Sequence, residues 1–368
     1  MPRNPEEAGR YNRAKVRLTL SGIIYTLLYL VFFQIFLAHH LKTLAFALNA
    51  NFYCALAVFL AVFGILYYVF ELPLRFYSGF ILEHKFRLSN MRILAWFSDD
   101  IKKGVLSLAM FVVFMQALYF FLRNFAASWW VWIAAFYLLA TVVLARITPL
   151  VVIPLFFKYH PVGDDLKNNI IKLSEKCGIK VLDVYKIDFS RKTSKLNAAV
   201  VGMGRTRRVL LADNLVESFT YDEIAGVLAH EFGHHKMFHI WKLLAFGTLS
   251  TFFSFFVLYL VSAPVAASLG AERVYDISIF PAFMLILFLA TFALGPLQNA
   301  FSRRLERNAD LFALKAIKNR DIFISLMRKL AERNLSDPNP PAFVKFLFYD
   351  HPPISERIKM AEKFGRNF

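Results

Sequence analysis

Six long apolar stretches separated by polar segments dominate the chain, running approximately Leu18 to Ala38, Phe52 to Phe70, Gly104 to Leu122, Trp129 to Phe157, Trp241 to Ala263 and Ile277 to Leu297. A bilayer core about 30 Å thick needs roughly 20 apolar helical residues, so these stretches are read as membrane spans. The first follows Arg3, Arg10, Arg13, Lys15 and Arg17, as in a signal peptide. Its length, with no small-residue cleavage site following, predicts a retained first span.

Between the fourth and fifth stretches the pattern changes. From Asp164 to Cys177 the apolar positions Leu166, Ile170, Ile171 and Leu173 recur at helical spacing, and Gly178 supplies a C-terminal stop. Three β-like runs follow, Val181 to Ile187, Asn197 to Val201 and Arg208 to Ala212, divided by the polar turn Ser190 to Ser194 and by Gly202-Met203-Gly204. Thr220-Tyr221-Asp222-Glu223 reads as a capping box, in which Thr covers free helix amides and Glu reaches back to the cap amide. No stop signal is read before Trp241, so the helix it opens is expected to continue into the fifth span.

Composition agrees with a lipid-embedded chain. Of 368 residues, 58% are hydrophobic and only 19% charged, against about 25% charged in soluble domains. These values exclude disordered and collagen-like chains. Cys54 and Cys177 are too few for a disulfide framework or a Cys-based zinc cluster. The net charge of +17 matters less than its location. With a cytoplasmic N-terminus, the outer loops hold only Lys42, Arg123 and Arg273, while Arg146 lies inside the fourth stretch; the remaining Lys and Arg fall on the inner side. This positive-inside pattern predicts cytoplasmic N- and C-termini and attraction to anionic lipid headgroups, and it argues against a nucleic-acid partner. Arg146 reads equally well as a partner in a polar cavity or as a side chain snorkelling to the interface where Pro149 and Pro154 suggest a bend. His39 and His40 read as exposed interface residues.

The candidate chemistry lies in His230-Glu231-Phe232-Gly233-His234. At about 100° per residue the two histidines are about 40° apart and one turn apart along the axis, so both imidazoles reach one ion. Neutral imidazoles suit Zn²⁺, and a catalytic site takes three protein ligands and leaves a fourth position for water. Glu231 is placed to accept a proton from that water and return it to a leaving amine. A metzincin would supply its third ligand at the position of Ile240, which excludes that subclass. On a continuous helix His239 is about 140° from His234, and His235 about 100°, so neither is expected on the ion. Downstream, Glu306 and Asp310 share a helix face at the inner end of the sixth span. Glu306 would meet the metal at the same depth, with Asp310 accepting the free N–H of a ligating His. The competing reading is a surface helix with salt bridges to Arg303 and Arg307.

Taken together, these residues resemble the M48 family of zinc metalloproteases, specifically the Ste24 type, the membrane-embedded CaaX prenyl protease 1 group. The resemblance covers Glu71 to Asp100, Pro154-Leu155-Phe156, Asn197-Ala198-Ala199, His230 to His234, Glu306 with Asp310, and His351-Pro352-Pro353-Ile354-Ser355-Glu356-Arg357. It implies Glu306 as third zinc ligand, Asp310 as the partner behind a ligand, and His351 and Arg357 lining the cleft and stabilising the oxyanion. It also implies that the strand Asn197, Ala198, Ala199 holds an extended substrate by β-addition. Family members have seven spans around a water-filled chamber, against six here, and an aromatic residue where this chain has Ala199.

The expected architecture is mainly α, a polytopic membrane helix bundle with a small cytoplasm-facing α+β zinc-protease element of the gluzincin kind. Residues 1–157 would hold four spans, and 158–368 the peptidase region with two further spans and a C-terminal helical segment. The resemblance implies one Zn²⁺ per chain, a hydrophobic or lipidated peptide or protein substrate, and membrane lipids as neighbours. The expected location is a bacterial inner membrane or the endoplasmic reticulum. Two other functions compete: an HtpX-like quality-control membrane protease, and a non-catalytic scaffold or transporter with a structural zinc.

Overall fold

Every apolar stretch falls on a helix or on a rod of joined helices, most of them longer than the stretch itself. The computed structural model describes residues 5–202 and 204–364; Arg3 of the basic flank and Met203 of the glycine turn lie outside the described residues. Helices α1 (Pro5–Phe32) and α2 (Ala38–Leu48) form one rod through a π-helical turn at Phe33–Leu37. Helix α3 (Phe52–Phe76) continues through a second such turn into α4 (Leu82–Lys85), and α5 (Ile93–Asn124) returns. Helix α6 (Trp129–Ile147) meets a third π-helical turn, Thr148–Val152, before α7 (Ile153–Phe156). That turn contains Pro149, which has no N–H to give to the helix ladder, so the departure from regular α-helix falls where the sequence predicts a bend. Arg146 is exposed, in keeping with the snorkelling reading.

In lipid, helices associate through packing rather than through exclusion of water. The bundle core is accordingly aromatic: Phe33 and Phe63 meet edge to face at 4.9 Å, and Phe63 and Phe280 at 5.2 Å. Cations assigned to the outer loops gather at one end. Lys42 pairs with Asp276 at 2.5 Å, and Arg123 lies over Phe52 at 4.1 Å and 5.6 Å from Tyr275.

At the other end the polar insert folds as β1 (Tyr159–Pro161), α8 (Asp164–Lys176), β2 (Asp183–Ile187), β3 (Ala198–Val201), β4 (Arg208–Ala212) and α9 (Asp213–Ser218). The strands form one sheet in the order β1-β2-β4-β3. Strand β2 runs parallel to β4 with Tyr185 opposite Leu210, while β3 is antiparallel to β4 with Ala199 opposite the same Leu210. This leaves β3 at an edge. The loop before β3 is tied to the membrane part by Glu83, which receives Lys15 at 2.7 Å, Lys195 at 2.9 Å and the hydroxyl of Tyr11 at 2.7 Å.

Helix α10 (Tyr221–Lys236) starts at the predicted capping box, with both reciprocal hydrogen bonds present. It does not run on into the fifth span. Phe238 adopts φ 56°, a left-handed conformation that ends one helix and lets α11 (His239–Ser268) start in a new direction. Helix α12 (Phe280–Ile317) does continue unbroken from the membrane past Asp310. Then come α13 (Arg320–Asn334), α14 (Ala342–Phe348) and α15 (Ile354–Phe364). Among the described residues, six helices or helix rods are long and apolar enough to cross a membrane, four of them before residue 157.

Candidate metal centre

The geometry of the centre begins with the close approach of α10 and α12. Gly233 faces Phe312, and a Cβ on Gly233 would meet the Phe312 ring and Cβ at 3.2 Å. The missing side chain lets the two axes come together, so residues from both helices meet. His230 and His234 project from the last turns of α10 and place their Nε2 atoms 3.1 Å apart. Glu306 enters from α12, with Oε2 3.3 Å from His230 Nε2 and Oε1 3.2 Å from His234 Nε2.

All three donor atoms lie within 4.8 Å of one another. Glu306 Oε2 is buried and has no hydrogen-bond partner although two imidazole nitrogens lie close by. An unmet buried acceptor is costly unless a cation satisfies it. Burial alone would lower the pKa of His230, but the Asp310 carboxylate at 2.8 Å and the neighbouring negative charge of Glu306 outweigh burial and push it up to about 9. The cluster thus favours positive charge at its centre. Two imidazoles and a carboxylate suit zinc better than a hard cation such as calcium, which takes oxygen ligands.

Behind the donors stands a second tier. His230 Nδ1 faces Asp310 Oδ1 at 2.8 Å, and Arg357 of α15 grips the same carboxylate through Nε at 2.8 Å and Nη2 at 2.5 Å. Asp310 is fully buried. Neither Arg303 nor Arg307 takes up the carboxylates, as the surface-helix reading required: Arg307 faces Glu356 at 3.6 Å, and Arg303 donates to the carbonyls of Lys345 and Tyr349. The latter bonds tether the loop that delivers His351, whose Nε2 lies 3.4 Å from Glu306 Oε2 and whose Nδ1 is 2.8 Å from Asp350. The Asp350 hydrogen bond raises the His351 pKa against the opposing effect of burial. Glu231, beside His230, has its pKa raised by burial and by Glu306, in part offset by the two histidines.

Neither His239 nor His235 joins the three donors, as the helical wheel predicts, but His239 comes closer than the wheel allows. His239 is fully buried, and its Nδ1 lies 3.2 Å from His234 Nδ1, on the side of that ring away from Glu306. The break at Phe238 brings it there; on an unbroken helix it would point elsewhere. His235 faces away from the centre, contacting Val200 O through Nε2 at 3.1 Å and receiving Arg207 Nε at Nδ1. It thereby ties α10 to strand β3. Of the expected substrate strand, Ala198 and Ala199 lie on β3, and Asn197 precedes it with its carbonyl accepting from Ala212 N at 3.0 Å. The HEFGH sequence signals Gly233 only as a small residue between two ligands; no local signal points to His239.

Comparison with known proteins gives a consistent result. The profile of peptidase family M48 matches residues 163–364, and that of the CAAX prenyl protease N-terminal region, described as five membrane helices, matches residues 3–158. CAAX prenyl protease 1 of Saccharomyces cerevisiae is 30% identical over 95% of this chain and 83% of its own length. The uncharacterized metalloprotease YhfN of Bacillus subtilis is 28% identical over 83% and 72%. Among solved structures, S. mikatae Ste24p superposes with a TM-score of 0.87 at 27% identity, over 97% of this chain and 89% of that one.

Proposed function

The chain belongs to peptidase family M48 and is an integral-membrane metalloprotease, and we propose that it uses zinc to hydrolyse internal peptide bonds of hydrophobic substrates, prenylated or membrane-derived. The observation that supports this reading most directly is the convergence of His230, His234 and Glu306 on one point, with Glu306 Oε2 buried and unmet. These three residues would hold the ion. When bound, zinc supplies Lewis-acid polarisation of the water and of the scissile carbonyl.

The other residues act around that point. Glu231 removes a proton from water as its oxygen bonds to the carbonyl carbon, and its raised pKa suits a base that must hold that proton. The same proton then passes to the amide nitrogen as the C–N bond breaks. His351, with one face on Asp350, turns Nε2 toward the centre and donates to the oxygen that becomes negative. Arg357 adds positive charge to the same side while its fork orients Asp310, which in turn fixes the His230 ring. The strand Asn197, Ala198 and Ala199 would hold an extended substrate through main-chain hydrogen bonds along the edge of β3 that β4 does not take, up to the point where His235 meets the Val200 carbonyl. The match of residues 3–158 to the prenyl-protease N-terminal region favours a Ste24-type processor over a quality-control protease. Cytoplasmic termini follow from the basic inner loops, the membrane being a bacterial inner membrane or, in a eukaryote, the endoplasmic reticulum.

Cleavage of a hydrophobic peptide, with and without a farnesyl cysteine, by detergent-purified zinc-loaded protein tests the proposal. Expected are chelator-sensitive cleavage and loss of about 10²-fold or more in Glu231→Gln with zinc retained. Equal cleavage by both proteins sinks the mechanism. Indifference to farnesyl sinks the prenyl reading alone.

A further inference from the structure

Helix α14, Ala342–Phe348, is too short to span a bilayer, yet it exposes large apolar side chains: Phe343 is 69% and Phe346 49% exposed. The two residues lie about one turn apart on one face, and neighbouring Pro341 and Ala342 are exposed as well. The one charged residue of the helix, Lys345, is turned away from that face onto Glu356. In water such a face would be left uncovered.

Two independent rulers bracket its depth. On α12 the apolar run ends at Leu297, and α14 is fastened just beyond it: Asn299 Nδ2 donates to Leu347 O at 2.7 Å and Arg303 Nη1 to Lys345 O at 3.0 Å. On α11 the apolar run begins at Trp241, and Phe246 stacks on Phe301 with centroids 5.3 Å apart and planes 17° apart. Phe246 lies about 7.5 Å further along its helix than Trp241, so by this ruler the part of α12 that holds α14 lies a little inside the inner edge of the fifth span, and the two rulers bracket the boundary. Trp241 is itself exposed at this level, as tryptophans are at the membrane–water interface. The exposed apolar face of α12 reaches it with Phe292 and Leu297.

We propose that α14 is an interfacial helix whose partner is the bilayer surface, with Phe343 and Phe346 inserted at the boundary between headgroups and acyl chains on the side of the metal centre. Interfacial helices bury their apolar face about 5–10 Å into that boundary. Because the chain passes directly from α14 to Asp350 and His351, lipid contact sets the height of His351 over Glu306. The proposal depends on the membrane fold and not on which peptide the centre cleaves.

The test uses the full chain with Cys54→Ala and Cys177→Ala, reconstituted in phosphatidylcholine vesicles. Nitroxide labels are placed at Phe343→Cys and Phe346→Cys, with Leu289→Cys on the exposed face of α12 as the lipid reference and Asn339→Cys in the loop before α14 as the aqueous reference. Labels at 343 and 346 are expected to favour collision with oxygen over a water-soluble nickel chelate, shifting from the value at 339 toward that at 289. A nickel-accessible result equal to that at 339 overturns the proposal. So does shielding from both reagents, which would mean that a second protein surface covers the helix. A measurement on the unmodified chain stands beside it: photolysis of a lipid bearing a diazirine near its carbonyl should mark residues 341–349, and marking around Trp241 without marking there also overturns the proposal.

Discussion

His239 presents its Nδ1 to the Nδ1 of His234 at 3.2 Å, and both rings are held there by a helix break at Phe238. Were Nε2 of His234 to give its lone pair to an ion held with Glu306, the ring proton would sit on Nδ1 and donate to His239. His239 would thereby favour the tautomer in which Nε2 has its lone pair free for the ion.

Replacing His239 by Leu removes this acceptor inside a buried site. Metal affinity is expected to fall about 10–100-fold, measured by competition with a chelator. His239→Asn, which keeps an acceptor near the Nδ1 position, should recover part of the loss. Unchanged affinity in His239→Leu would show that His234 is oriented by packing alone.

Arg357→Lys keeps a cation but loses the fork that grips both oxygens of Asp310. Asp310 is fully buried, so its second oxygen would lose a partner and the His230 ring its fixed support. The expected result is metal binding weaker by about tenfold together with a lower unfolding temperature. A fall in unfolding temperature with no change in metal affinity would separate Arg357 from the centre.

Gly233→Ala adds a methyl group where Phe312 already stands at 3.2 Å. Ala is favoured over Gly in a helix interior by about 1 kcal/mol, while crowding a packed contact costs about 1–3 kcal/mol. Stability should therefore fall by no more than about 2 kcal/mol. Metal affinity should fall, because α10 and α12 must move apart by a few tenths of an ångström and take Glu306 from the histidines. Thermal unfolding and chelator competition on the same preparation check both halves.

The start of α10 is sensitive to acid. Burial raises the Glu223 carboxyl, but Lys329 at 2.7 Å, the Thr220 amide and the Ser325 hydroxyl outweigh it and hold its pKa below the ordinary value of 4.5. A depressed carboxyl contributes stability above its unfolded pKa and loses it as pH falls through the folded one. The stability advantage of the wild type over Glu223→Gln should thus be full at about pH 6 and shrink below about pH 4.5. Unfolding midpoints measured across that range give the difference directly, and a constant difference would contradict the assignment.

Elements whose determinants are local were legible in the sequence. Thr220 and Glu223 form the reciprocal cap that their spacing predicts, and Gly178 ends α8 with φ 70°. Continuity of α12 was legible because nothing in Ser302 to Asp310 opposes a helix. The break after Met237 was not, because Phe238 has no intrinsic preference for a left-handed conformation and tertiary packing imposes it. Strand β1 was missed because Tyr159, His160 and Pro161 become a strand only by pairing with β2. His351 and Arg357 carry no local signal either. They reach Glu306 and Asp310 across the fold, and only the family resemblance pointed to them beforehand.

The three donors do not belong to one part of the molecule. His230 and His234 end a helix that packs within the polar domain and is separated by the Phe238 break from the span that follows, whereas Glu306 stands on the unbroken rod that begins at Phe280 on the far side of the bundle. A chain whose polar domain had folded without correct insertion of that rod would have two histidines and no carboxylate. With the ion held as proposed, tight metal retention would be a property of the inserted protein only, and metal content per chain would become an assay of topogenesis, falling in preparations whose membrane and polar parts have not come into register.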